Sequence, residues 1–428
     1  MTPRRILLTA ALGLWLQALV AFLSVDARAY SGPDVLVTPA QALATFDEVW
    51  TRVRFEFYDP HLLGVDWQAV RAKYRDQAGA ATTRSALEAV INRMLHELPS
   101  SHLAYYTPTD AAYYDILTIL SYGSGGLTGN LARAFPDGEV SYIGIGAFTR
   151  AIDGRTFITG VLAGFPADQA GLHAGDEVLS AGGQPFSPVA SFEGRDGQQT
   201  TLLLRRTRGG AEERVVVTPQ RIRPAEAYGD AMRNSMRIIH TDRFSIGYVR
   251  AWTLYKKEYT NLLRSQLHKR PFADADALIL DLRDGWGGGR FDDVLEAIDS
   301  HLPVAESIGR GGQKFPDANW RPAVALLVNE GTRSAKELVV YGFKKYGYGE
   351  VVGTRTAGSV LGAHGFLLDD GVFILPAFDI VVDNERLEGR GVTPTIEVPF
   401  DIRYANGRDP QLDRALQSLV GKLRHRSP

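Results

Sequence analysis

The chain has 428 residues, 45% hydrophobic, 22% charged and 10% aromatic, an ordinary globular composition with room for two or three domains. Its 47 Lys+Arg and 49 Asp+Glu nearly cancel, so the basic surplus of a general nucleic-acid binder is missing. Cysteine is absent, and with it disulfides, iron–sulfur clusters, zinc fingers and cysteine nucleophiles.

In chain order, the first segment reads as an export signal. Arg4 and Arg5 precede an apolar run from Ile6 to Leu23, and Ala27-Arg28-Ala29 sets small residues where a signal peptidase cuts. Residues 1–29 are expected to be removed, making the product periplasmic or extracellular. The alternative is a retained anchor, since the run nears the length of a membrane span. No later stretch is apolar enough to cross a bilayer.

Residues 36–118 read as a helical N-terminal region. Ala44, Phe46, Val49, Trp50 and Val53 recur at helical spacing, as do Leu87, Val90, Ile91, Met94 and Leu95. The turn Pro99-Ser100-Ser101-His102 follows. Over 130–222 the character changes to short strands, such as Phe157–Leu162 and Arg214–Thr218, with a tight turn at Asp196-Gly197. Residues 221–227 look like a plain connector.

From 237 to 420 strands and helices alternate. Ser245–Val249, Ala277–Asp281 and Ala323–Val328 are strands, with helices over Tyr255–His268, near Phe291–His301 and over Ser334–Lys345. That alternation predicts an α/β layer with buried, continuously apolar strands. The tail after Gly421 is expected to fray.

No metal-ligand spacing, calcium loop or phosphate-binding glycine loop occurs, so no metal or organic cofactor is expected. The chemistry concentrates at two strand ends. After Val328 the chain turns through Asn329-Glu330-Gly331-Thr332-Arg333, and Ser334 opens a helix. Taken alone, Ser334 reads as an N-cap. In a functional reading, the helix N-terminus offers free N–H groups and a positive dipole end beside a nucleophilic oxygen. The preceding strand leads into Asp281-Leu282-Arg283-Asp284-Gly285-Trp286-Gly287-Gly288-Gly289. Its three adjacent glycines either donate amides to an oxyanion or simply make a tight connection.

Leu278–Arg283 with these glycines, Val328–Leu338, Val351–Gly358 and Gly389–Val398 together resemble the tail-specific (C-terminal processing) serine peptidases, in that family's order. Phe165-Pro166-Ala167, Ala170–Leu179 and Gly183 resemble a PDZ module. The resemblance implies a crotonase/ClpP-like α/β core with an inserted β-rich PDZ domain. It also implies Ser334 as nucleophile and an oxyanion hole from the N–H groups of Ala335 and of Gly287 or Gly288.

The sequence departs from the branch that uses a Ser–Lys dyad. Ser359 stands where the lysine belongs, and Ala363 where its supporting glutamine belongs. Lys336 is two positions along the nucleophile's helix and does not face Ser334. The branch similar to the tricorn core protease uses Ser-His-Ser-Glu instead. That pattern carries over to Ser334, His102, Ser101 and Glu388, with His102 taking the serine proton and Ser101 and Glu388 orienting the imidazole. His364 is a second candidate base, and an inactive relative with no base is a third reading. An imidazole base predicts an acidic limb of activity at about pH 6–7.

Ile143, Gly144, Ile145 and Gly146 resemble the carboxylate-binding loop of PDZ modules, which captures a peptide C-terminus or gates the site; the plain reading is a β-turn. The resemblance implies a serine endopeptidase acting on peptide or protein substrates, and the N-terminal signal makes it an exported one. The alternative is an inactive fold relative that binds a peptide or hydrophobic ligand.

Overall fold

The computed structural model describes residues 34–122, 126–241, 243–298, 306–312, 314–316, 322–369 and 371–426; the expected signal segment, 1–29, lies outside them. Three helices open the described chain: Pro39–Glu56, Trp67–Gly79 and Arg84–Leu95. Thr38 forms a capping box with Gln41, and the side chains of Asp66 and Thr83 cap the next two helices. Their apolar stripes bury Phe46, Val49, Leu87, Ile91 and Met94 in one cluster.

This helical layer is not closed on itself. Its cluster also contains Phe366, Phe373 and Leu375, from a hairpin of strands Leu361–Leu367 and Val372–Asp379 far along the chain. The strand Ala104–Tyr106 pairs antiparallel with Val372–Asp379, setting Ala104 opposite Ile374. That pairing carries the Ser101-His102 turn onto this hairpin from far along the chain.

A second layer is a five-stranded antiparallel sheet in sequential order: Ala147–Ile152, Arg155–Val161, Glu177–Ala181, Thr200–Arg205 and Glu212–Val217. Alternation along these strands buries Ile158, Val178, Leu202, Leu204 and Val217 on one face. Residues 221–227 are more than a connector. They complete the strand Gln220–Ile222 and begin the helix Pro224–Ser235, whose Ala227, Tyr228, Ala231 and Met232 are buried.

The third layer is a six-stranded sheet ordered Arg237–Thr241, Phe244–Arg250, Ala277–Asp281, Ala323–Val328, Gly349–Gly353 and Ile396–Glu397. The first pair is antiparallel and the others parallel. Helices Lys257–Leu267, Phe291–Ile298 and Ala335–Lys345 contribute to the core on one face. Helix Pro410–Arg426 covers the other through Ala415 and Leu419. The C-terminal tail therefore departs from the frayed end expected: helix continues to Arg426, and Lys422 pairs with Glu350 at 2.7 Å. Among the described residues, no helix is long and apolar enough to cross a membrane.

One buried ion cluster fixes the sheet edge where the site is built. Arg283 Nη2 donates to Asp281 Oδ2 and to Asp409 Oδ2, each at 2.7 Å, while Tyr248 Oη donates to the same Asp281 oxygen at 2.7 Å. Burial acts to raise the Asp281 pKa, but the Arg283 and Arg250 charges and the Arg283 hydrogen bonds hold it below the usual carboxylate range. Asp409 also caps the last helix by accepting from Leu412 N. Removing the guanidinium would strand two carboxylates, so Arg283→Met is expected to destabilise the chain by about 3–5 kcal/mol in denaturant unfolding. A loss under about 1 kcal/mol would contradict this account.

Candidate active site

The strand Ala323–Val328 ends beneath a turn, and Ser334 occupies the N-cap position of helix Ala335–Lys345. Its backbone lies at φ 58° and ψ −132°, and its side chain makes no capping hydrogen bond. The plain N-cap reading therefore does not hold: the hydroxyl leaves the helix end and enters a cavity. Such a dihedral pair is strained for a residue with a Cβ and persists only where surroundings impose it. Here Ser334 N donates to Ser359 O at 2.8 Å, and Glu337 N donates to Ser334 O at 2.8 Å.

Glu337, unremarkable in the sequence as a helical glutamate, secures that arrangement. Its fully buried carboxylate accepts from Thr356 Oγ1 at 2.5 Å and from Gly358 N and Ser359 N at 2.7 Å each. Ser359 is held by Glu337 and in turn holds Ser334. A glutamate in the first helical turn is favoured by the dipole, which is the one signal that could have drawn attention to it.

The glycine turn packs directly against the serine. A Cβ on Gly287 would stand 2.3 Å from Ser334 Cβ, so only glycine fits there. The Gly287 carbonyl accepts from Thr253 Oγ1 at 2.8 Å. In a planar trans peptide that turns the following N–H, of Gly288, the opposite way. Trp286 N donates to Trp252 O at 2.8 Å, and Trp286 Nε1 donates to Asp115 Oδ2 at 2.9 Å. Asp115 is a lone carboxyl in an apolar helix, Ala111–Tyr122, and burial pushes its pKa up to about 7. Lys336 Nζ donates to the carbonyls of Asp284, at 2.5 Å, and Leu282, at 3.3 Å. It braces the glycine turn from below, a role the sequence did not suggest, and burial pushes its pKa down to about 7.

The third element arrives from the other end of the chain. Ser101 Oγ donates to Glu388 Oε2 at 2.9 Å, and Ser101 N donates to Glu388 Oε1 at 3.0 Å. Val360 N fills the Glu388 site at 2.6 Å. His102 Nδ1 lies 2.9 Å from Ser101 Oγ. The single Ser101 proton goes to the carboxylate, so its oxygen accepts from Nδ1–H, and Nε2 is left as the acceptor nitrogen. Burial, ahead of the Arg333 charge, pushes the His102 pKa down to about 4, below the ordinary imidazole value expected from sequence.

A cavity of about 460 Å³ joins these parts. Ser101, His102, Gly287, Gly288, Ser334 and Ala335 all line it. Among the described residues no hydrogen bond joins Ser334 Oγ to His102. His364 is not on the wall. Strand alternation points Ala363 into the cavity and sets His364 against Phe378, with ring centres 5.1 Å apart.

The loop Ile143, Gly144, Ile145, Gly146 lies elsewhere. Ile143 and Gly144 belong to a strand, Tyr142–Gly144, paired with Gln220–Ile222, and the Ile145 carbonyl accepts from Ala167 N at 2.8 Å. The nearby strand reaches the site indirectly, because Phe148 stacks on Trp252 at 4.5 Å and Trp252 O holds the glycine turn. Among the described residues no group of His, Asp and Glu could hold a metal ion.

Residues 245–398 match the family model Peptidase family S41, residues 39–96 the Tricorn protease C1 domain, and residues 135–193 the PDZ domain. Among curated proteins, the chain is 27% identical over 392 residues to tricorn protease homolog 1 of Streptomyces coelicolor, covering 88% of this chain and 35% of that protein. It is 25% identical over 410 residues to the tricorn protease of Thermoplasma acidophilum, covering 90% and 35%. It is likewise 25% identical over 397 residues to the carboxyl-terminal-processing protease of Synechocystis sp., covering 87% and 85%. The chain spans about a third of the length of these two tricorn relatives. Its fold is similar to the crystal structure of the tricorn protease, with TM-score 0.52 and 20% identity over 90% of this chain and 37% of that one. Mature CPAF is similar too, with TM-score 0.51 and 14% identity over 91% of this chain and 99% of that one.

Proposed function

We propose that this chain, which carries a peptidase family S41 domain together with a tricorn C1 region and a PDZ domain, is an exported serine endopeptidase working through a Ser334 acyl-enzyme. The observation that carries the reading is the uncapped Ser334 hydroxyl, set on a strained backbone and sharing one cavity with the glycine turn, His102 and Ser101, which Glu388 holds from behind.

His102 Nε2 takes the Ser334 proton as Oγ attacks the peptide carbonyl. The N–H groups of Ala335 and of Gly288 or Gly287 receive the developing oxyanion, with the helix dipole in support. His102 then protonates the leaving amine, and water, deprotonated by the same nitrogen, hydrolyses the ester. Ser101 and Glu388 hold the imidazole in the tautomer that keeps Nε2 free. The PDZ region would bring peptide to the site through its carboxylate loop or gate access to it.

The rival is an inactive binder on the same fold, favoured by the missing Ser334–His102 hydrogen bond; in peptidases that bond often closes only with substrate present. A fluorophosphonate probe decides between them. Labelling together with peptide hydrolysis supports the peptidase. A folded chain that neither labels nor cleaves denatured protein is a binder.

A further inference from the structure

Arg333, immediately before Ser334, is half-buried on the wall of the same cavity, its guanidinium carbon 5.2 Å from the centre of the Trp286 ring. Neighbouring core arginines are paired, Arg250 with Asp284 at 3.2 Å and Arg283 with Asp281 at 2.7 Å. Arg333 has no carboxylate partner among the described residues; its Nε reaches only the Gly331 carbonyl, at 3.5 Å.

The wall supplies no counter-charge. Its ionisable residues are Arg333, His96, His102 and Tyr106, and no aspartate or glutamate lines it. Much of the remainder is apolar, including Ile116, Ile119, Leu120, Leu361 and Ile374. A fixed cation facing a largely apolar space, with its planar fork stacked and only weakly engaged, is a receptor for carboxylate.

We infer that Arg333 is a specificity-determining residue that receives a carboxylate of the peptide substrate beside Ser334. This rests on the peptidase reading of the site. The carboxylate has two sources, an Asp or Glu side chain near the scissile bond or the free C-terminus of a short peptide.

The test compares matched fluorogenic peptides bearing Asp or Asn next to the cleaved bond, each as a free acid and as an amide. The readout is the ratio of kcat/KM within each enzyme, which does not depend on how much activity a variant keeps. The wild type is expected to favour one carboxylate arm by about ten-fold or more. The ratio should fall to about one in Arg333→Gln and survive in part in Arg333→Lys. Preference for Asp over Asn assigns the side chain as the source; preference for acid over amide assigns the C-terminus. Equal rates in the wild type, or a preference that persists in Arg333→Gln, overturn the inference. If such an enzyme still labels with the fluorophosphonate, the peptidase reading stands without it. A chain that neither labels nor cleaves overturns both.

Discussion

Ser334→Ala is expected to lower peptide hydrolysis by about ten-thousand-fold or more and to abolish fluorophosphonate labelling, because it removes the hydroxyl seated against Gly287 at the helix end. Ser334→Gly makes a sharper version of the test. Glycine accepts φ 58° without the Cβ penalty, and the wild-type hydroxyl caps nothing, so this variant should lose activity while gaining about 1 kcal/mol in stability. A serine acting only as a helix cap would do the reverse, since its replacement by alanine would cost about 1 kcal/mol and leave any activity in place. Thermal unfolding measured beside turnover separates the two. Full activity in Ser334→Ala would sink the nucleophile assignment.

The second large effect concerns His102. Its replacement by alanine should cost activity on the same scale, because nucleophile and base act as a unit. In the wild type, the limb of kcat/KM that belongs to His102 should appear as pH drops through about 4, since the base must be neutral in the free enzyme and its folded pKa lies there. The sign follows from the cause. Burial of the ring away from water and the positive charge of Arg333 both disfavour imidazolium, so the neutral, competent form survives to lower pH than in an open histidine. Asp115 and Lys336 both titrate near 7 by burial and brace the glycine turn. A limb near 7 in either enzyme would therefore belong to them, whereas a limb near 4 that persists in His102→Ala, or full activity in that variant, would remove His102 from its role.

The relation between sequence and structure differs from element to element. The strands Ala277–Asp281 and Ala323–Val328 were legible because continuous apolar runs bounded by turns suit only a buried position in a parallel layer. Helix Lys257–Leu267 falls within the range that periodicity marked. Residues 221–227 carry too short an apolar pattern to show an element, whereas Pro224 in the first turn starts the helix Pro224–Ser235. The last helix runs past Gly421 because its end is held by contact with the sheet and by Glu350, neither of which is local.

What the sequence determined by itself is the set of parts: two strand ends, one followed by glycines and one by a serine at a helix start. These follow from short-range sterics and periodicity, which act within a few residues. The tertiary structure alone decided how the parts are used. Ser101 and Glu388 meet across 287 positions because the strand Ala104–Tyr106 joins the Val372–Asp379 hairpin, and no local rule encodes that pairing. It decided also that the Ser334 hydroxyl leaves its helix end, and that Arg333 faces a cavity whose wall holds no carboxylate. The near-neutral total charge concealed that local imbalance, because a sum over the chain carries no information about which charges share a wall.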